Sequence, residues 1–393
     1  MVSTTKIPLA WQVGLFAAVV TISGAFAASE GQTFAGEAFA SLLTLRALLT
    51  YFWACHLFSA RREIATGCLQ LLLSLTAVSG FYGAIQQLFN FHPFTYPFLQ
   101  GTGFHATPMP FAGQMQLMGM LSLGLLLSGG WKQLFARRAV FIVLTLGNLA
   151  GIVFAGERGG WLGAFVGILA IASMVSWKTF AKAACALLLI GLLSWAVVPL
   201  VQTRVNAVLS GQSDVGTRVR FQLWSKSIEL WQTSPVLGVG IRHFPALDIP
   251  EAIVPGHSKY INHAHSNYFH ILSTTGLAGI VAYIWLFISA LCVGLGMFHQ
   301  GKNANDLLAK GLGLGITGGT VALLISGAFE YNFGTAQVRL AQWFLLGLLS
   351  LPILPARNVQ LASHAQLPSE TTQADVSQIE EPPHHLVLEV HSP

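Results

Sequence analysis

The chain has 393 residues, 53% of them hydrophobic and only 9% charged, with a mean hydropathy of +0.62. A soluble domain carries about a quarter charged residues, so this chain has too little polar surface to cover itself in water. It reads as an all-α, polytopic transmembrane bundle with lipid as its solvent. The net charge of +5 mostly reflects basic residues gathered in short loops between apolar segments, so it is weak evidence for nucleic acid, and no nucleic-acid partner is expected.

About ten spans follow one another, at 9–28, 38–59, 64–89, 111–130, 139–155, 161–177, 183–200, 267–298, 311–329 and 338–354. Residues 1–200 therefore hold helices 1–7 and residues 265–355 hold helices 8–10. Lys6 and the apolar run ending in Ala25-Phe26-Ala27 resemble a signal peptide, but the run is long and further spans follow, so a retained first helix is expected. Cys55, Cys68, Cys185 and Cys292 all fall in apolar runs, without disulfide or metal-ligand spacing, and read as small buried hydrophobes.

The basic residues orient the bundle. Lys6, Arg61, Arg62, Lys132, Arg137, Arg138, Lys178, Lys182, Lys302, Lys310 and Arg357 all fall on one side, which is expected to be cytoplasmic together with both termini. The opposite side receives the one long loop, residues 201–264. Within it, GTRVRFQLWSKSIELWQT at 216–233 has apolar positions at Val219, Leu223, Trp224, Ile228 and Trp231, the spacing of an amphipathic helix. Such a helix is expected to lie in the interface, with its tryptophans at headgroup depth and Arg218, Arg220 and Lys226 towards lipid phosphates. A Pro-Gly-Gly break at Pro235, Gly238 and Gly240 ends it. The tail, 356–393, carries five acids against Arg357 with no continuous apolar pattern, and it is expected to be disordered in the cytoplasm; its His384-His385 pair reads as solvated.

The strongest local pattern is HAHSNYFHILSTTGLAG at 263–279. His265-Ser266, nine residues, Gly276, two residues and Gly279 resemble the H-[NSQ]-x9-G-x-x-G motif of the bacterial O-antigen ligase and polymerase superfamily. Arg220-x-x-x-Trp224 followed by Pro235-x-x-Gly238-x-Gly240 is similar to that family's periplasmic loop, and GERGGWLG at 156–163 to its short arginine turn. The resemblance covers roughly residues 140–300, with the elements in the family's order and on one expected face; ten spans is fewer than the twelve common in ligases.

That resemblance implies a GT-C-like fold and an inner-membrane enzyme with its active face in the periplasm. It implies transfer of a glycan from undecaprenyl diphosphate to an acceptor hydroxyl, with neither nucleotide sugar, metal nor other cofactor. Such a reaction needs fixed cations for the leaving diphosphate and a group that takes the acceptor's proton. Arg158 and Arg220 match family positions for the first task, with Arg218 and Arg242 as weaker candidates, and His265 matches the second, as a base or as a binding group. Ser266, Gly276 and Gly279 read as a packing motif. On a straight helix Gly276 lies three turns, roughly 16 Å, beyond His265, and the glycines admit a neighbouring helix.

Other polar residues weigh differently. Arg46 lies inside a span, where it costs on the order of 2.5–3.5 kcal/mol, so it must snorkel, meet a partner or face a polar pocket. Glu330 and Arg339 flank the last outer turn and are expected to pair with each other. His263 with His265 makes an H-x-H pair lacking a third ligand. His270 has no assigned role. GTGFHATPMP at 101–110 reads as an outer loop. A lipid A-core acceptor ranks first, polymerisation of the same lipid-linked glycan second and protein O-glycosylation third. A lipid-linked glycan transporter is the rival from another class, predicting charges deep in several spans.

Overall fold

The computed structural model describes residues 7–29, 34–93, 100–197, 199–210, 215–244, 247–248, 260–261 and 263–355. The tail with His384 and His385 lies outside them. A helix stands at each of the ten expected spans: α1 (Ala10–Ser29), α2 (Phe34–Ala60), α3 (Arg62–Phe89), α4 (Pro108–Ser128), α5 (Arg138–Phe154), α6 (Arg158–Val175), α7 (Trp177–Val197), α10 (Asn267–Asn303), α11 (Leu307–Ser326) and α12 (Ala336–Leu348). Two more, α8 (Pro199–Leu209) and α9 (Val215–Thr233), belong to the long segment between α7 and α10. Among the described residues seven helices are long and apolar enough to cross a bilayer, so the chain is a multi-pass membrane protein. Among the described residues the one piece of strand is a two-residue antiparallel ladder, Leu247–Asp248 against Tyr260–Ile261.

The helix α11 forms the centre, almost wholly buried between α4, α6 and α10. Lipid gives helices no hydrophobic reason to associate, so close backbone approach through small residues carries the packing. Gly124 of α4 shows this: a Cβ there would collide with the backbone of Gly315 on α11. At the bundle's edge, α7 has no buried residue.

The helix ends sort into two polar layers. In one, Arg62 clasps Asp306 with both guanidinium nitrogens, at 2.7 and 2.6 Å, and adds bonds to Gln133 Oε1 and the Pro352 carbonyl. The clasp ties together the expected cytoplasmic loops. The other layer holds the starts of α4, α6, α10 and α12 and the end of α11.

The helix α10 differs from the straight stem expected. It breaks at Gly276, whose φ of 66° and ψ of −165° no side-chain-bearing residue adopts readily. What fills the break is the 235–240 segment. Leu277 and Ala278 N–H groups donate to the Pro235 and Val236 carbonyls (2.9 and 3.1 Å), while Ser273 and Thr274 carbonyls accept from Val239 and Gly240 (3.0 Å each). These four groups are the ones that would have bonded to each other in an unbroken helix. A Cβ on Gly276 would meet the Val236 carbonyl, and one on Gly238 (φ 71°) would meet the Thr274–Thr275 peptide. Ser23 of α1 locks the crossing by donating to the Leu237 and Thr274 carbonyls (2.6 and 3.0 Å). The neighbouring-helix contact expected at Gly276 is corrected accordingly. A loop, rather than a neighbouring helix, crosses Gly276, and the space beside Gly279 is occupied by the Thr275 side chain of its own helix.

Candidate functional site

His265 ends the segment between α7 and α10, one residue before the α10 cap. Its φ of 46° is left-handed, a conformation that costs roughly 1–2 kcal/mol for a residue with a Cβ. The turn is held on its C-terminal side. Ser266 Oγ caps α10 by accepting from Phe269 N–H (3.4 Å), and Asn267 N–H donates to the Gly327 carbonyl (2.7 Å). The strain therefore sits where the surrounding bonds over-determine the backbone, and it aims the half-buried imidazole at Glu330.

Glu330 organises the site. It is buried at 4% exposure, just past the end of α11. Its Oε1 forms an ion pair with Arg220, and its Oε2 lies 3.4 Å from His265 Nδ1. Arg220 also donates through Nε to the Phe329 carbonyl (2.9 Å). The expected Glu330–Arg339 pair is thus corrected: Glu330 joins Arg220 to His265, and among the described residues Arg339 forms no ion pair with Glu330. Glu330 is the functional candidate that sequence reasoning passed over. The available signal was an acid at the outer end of a span in a chain with only 15 acids.

The arginine reaches Glu330 because α9 packs inward. Val219 and Leu223 are buried with Phe244 and Ala264, and Trp224 stacks on Phe269 with ring centroids 5.0 Å apart. The helix expected at 216–233 is present, but this face meets protein where a headgroup layer was expected. Lys226 pairs with Glu229 on its own helix (2.7 Å).

Between α6 and α9 opens a cavity of about 480 Å³, lined by Arg158, Gly159, Leu162, Thr217, Arg220, Phe221, Trp224 and Phe329. Arg158 is the first residue of α6, so the cavity meets two guanidinium groups and the positive end of a helix. Its other walls are mostly apolar. That combination suits a molecule with an anionic head and a hydrocarbon body.

A buried polar chain connects the two helix starts. Asn267 Nδ2 donates to Asn332 Oδ1 (2.7 Å), Asn332 Nδ2 to Ser326 Oγ (2.8 Å), Ser326 Oγ to Gln116 Oε1 (3.0 Å) and Gln116 Nε2 to the Gly160 carbonyl (2.6 Å). It fixes the Arg158 end of α6 against the His265 end of α10 across α4 and α11. A void of about 10 Å³, the size of one water molecule, lies along it between Glu157 and Glu330.

Of the residues expected at the site, Arg158 and Arg220 share the cavity, and His265 is joined to Arg220 through Glu330. Arg46, Arg218 and Arg242 are exposed and do not line the cavity. His263 packs edge-on to His265 (4.3 Å), and burial, aided by the neighbouring imidazole, lowers its pKa to about 4. It is therefore neutral at pH 7. No group of three metal-ligating side chains occurs among the described residues.

Residues 139–284 match the family model for O-antigen ligase. The match runs from α5 into α10, so it takes in Arg158, Arg220 and His265 and leaves out Glu330 and Arg339. No curated protein matches the sequence. Among solved structures, a chain from work described as "Structural coordination of polymerization and crosslinking by a peptidoglycan synthase complex" aligns with 87% of this chain and 96% of its own length. Its TM-score is 0.46 and its identity 17%.

Proposed function

We propose, from the match of residues 139–284 to the O-antigen ligase family model, a membrane glycosyltransferase that moves a glycan from undecaprenyl diphosphate to an acceptor hydroxyl, with a lipid A-core acceptor. The observation that carries the reading is the arginine-headed apolar cavity whose Arg220 shares one carboxylate with His265. The proposed setting is the bacterial inner membrane, with the site on the periplasmic face and both termini cytoplasmic. The basic loops support that orientation.

In this reading the isoprenoid lies along Leu162, Phe221, Trp224 and Phe329 while the diphosphate meets Arg158, Arg220 and the α6 amino terminus. With Glu330 accepting from Nδ1–H, the neutral imidazole keeps its lone pair on Nε2. The acceptor hydroxyl gives its proton to Nε2 as its oxygen bonds the anomeric carbon. The bond from that carbon to the diphosphate breaks, and its electron pair leaves with undecaprenyl diphosphate. The arginines neutralise the charge that develops there. The scheme invokes no metal or other cofactor.

The test is transfer by purified protein from a defined undecaprenyl-diphosphate glycan to a panel of acceptors, comparing wild type with His265→Ala. A loss of about 10²–10⁴ in rate is expected. Full activity in the variant refutes the assignment of His265, and translocation without transfer supports a transporter instead.

A further inference from the structure

A second pair of arginines lies near the site on helices that do not line the cavity. α2 and α12 run parallel: the Tyr51 ring meets Trp343 edge-on at 6.2 Å, and Cys55 Sγ lies 3.9 Å from the Gly347 carbonyl. About one turn earlier on each helix stand Arg46 and Arg339, which this register puts at one level. Arg339 is half-buried and its Nε has no hydrogen-bond partner. Among the described residues no carboxylate forms an ion pair with either arginine. Two guanidinium groups at one level of a span, with no carboxylate between them, are an unfavourable arrangement that a bound anion relieves.

The pair also has a route to the reacting centre. Tyr331, in the turn that leads into the helix of Arg339, has its ring 5.7 Å from that of His263, and His263 lies 4.3 Å from His265. Arg158 and Arg220 border the donor cavity, and Arg220 reaches His265 through Glu330, so the two cationic pairs approach the imidazole through different neighbours.

We propose that Arg46 and Arg339 bind an anionic group of the acceptor, a phosphate or carboxylate near its reacting hydroxyl, and so present that hydroxyl to His265. The acceptor role rests on the transfer reading above; the anion site itself does not. A planar guanidinium fork suits such oxyanions, and two forks select acceptors that carry one.

The test uses full-length protein in nanodiscs of neutral phosphatidylcholine and an acceptor glycolipid bearing sugar phosphates, before and after phosphatase treatment. Binding and transfer are both measured for wild type, Arg339→Gln and Arg46→Gln; the second variant, on an exposed position, serves if the first folds poorly. Wild type should bind the phosphorylated acceptor at least about tenfold more tightly. Each variant should lose that preference while binding the dephosphorylated form as wild type does. A retained preference, or an equal loss on both forms, overturns the proposal. Abolition of the wild-type preference by phosphatidylglycerol in the disc also overturns it, assigning the arginines to bilayer headgroups. Preferential binding without any transfer upholds the anion site and refutes the transferase reading.

Discussion

Replacing Glu330 by glutamine separates the charge of this side chain from its shape. Arg220 has no acceptor atom, so the amide must turn its oxygen towards Arg220 and its NH₂ towards His265. The imidazole then has to accept at Nδ1 and carry its proton on Nε2, which removes the base. A charge-assisted bond becomes a neutral one, which should lower stability by about 1–2 kcal/mol. Glu330→Ala leaves Arg220 without its partner and should cost about 3–5 kcal/mol. Turnover should respond far more than stability, with kcat falling about 10²–10⁴-fold in Glu330→Gln. The measurement is the transfer rate at saturating donor, beside thermal unfolding in detergent. A variant that keeps wild-type kcat with normal unfolding would refute the claim that Glu330 sets the tautomer of His265.

Two further predictions concern the scaffold. Gly276→Ala should destabilise strongly, by about 1–3 kcal/mol from the backbone alone, before counting the four bonds to the 235–240 crossing. Limited proteolysis should then cut near Gly238 faster than in wild type, and unchanged cleavage would show that the crossing tolerates a side chain. The Asp306 carboxyl is held below its ordinary 3.8: burial, the largest influence, pushes it up, but the Arg62 hydrogen bonds and charge and the Leu354 and Ala309 N–H groups outweigh it. Its folded pKa is depressed, so the clasp contributes fully above the unfolded value and is lost as pH falls through the lower folded one. The unfolding temperature of wild type should exceed that of Asp306→Asn at pH 7, with the gap closing below about pH 4. A constant gap would show that the ion pair contributes nothing.

Much of this protein follows from local sequence. Apolar runs of bilayer length become helices because a backbone in lipid has to satisfy its own hydrogen bonds, and a helix stands at every expected span. The amphipathic spacing at 216–233 similarly sufficed for α9. His265, Arg158 and Arg220 were legible through a motif resemblance, and two of them border one cavity.

Partners across long sequence separations were decided only by the tertiary structure. Glu330 faces Arg220 and His265, 110 and 65 residues away, because α9 folds back over the end of α11; nothing in its immediate sequence marks that choice over Arg339 nine residues on. Gly276 had the right residue type for either a helix contact or a break. The distinction came from residues 235–240, whose free peptide groups could satisfy those released by the break. Helix formation is a local bargain between neighbouring peptides, whereas an ion pair or an inserted loop depends on which distant groups the packed bundle brings within bonding distance.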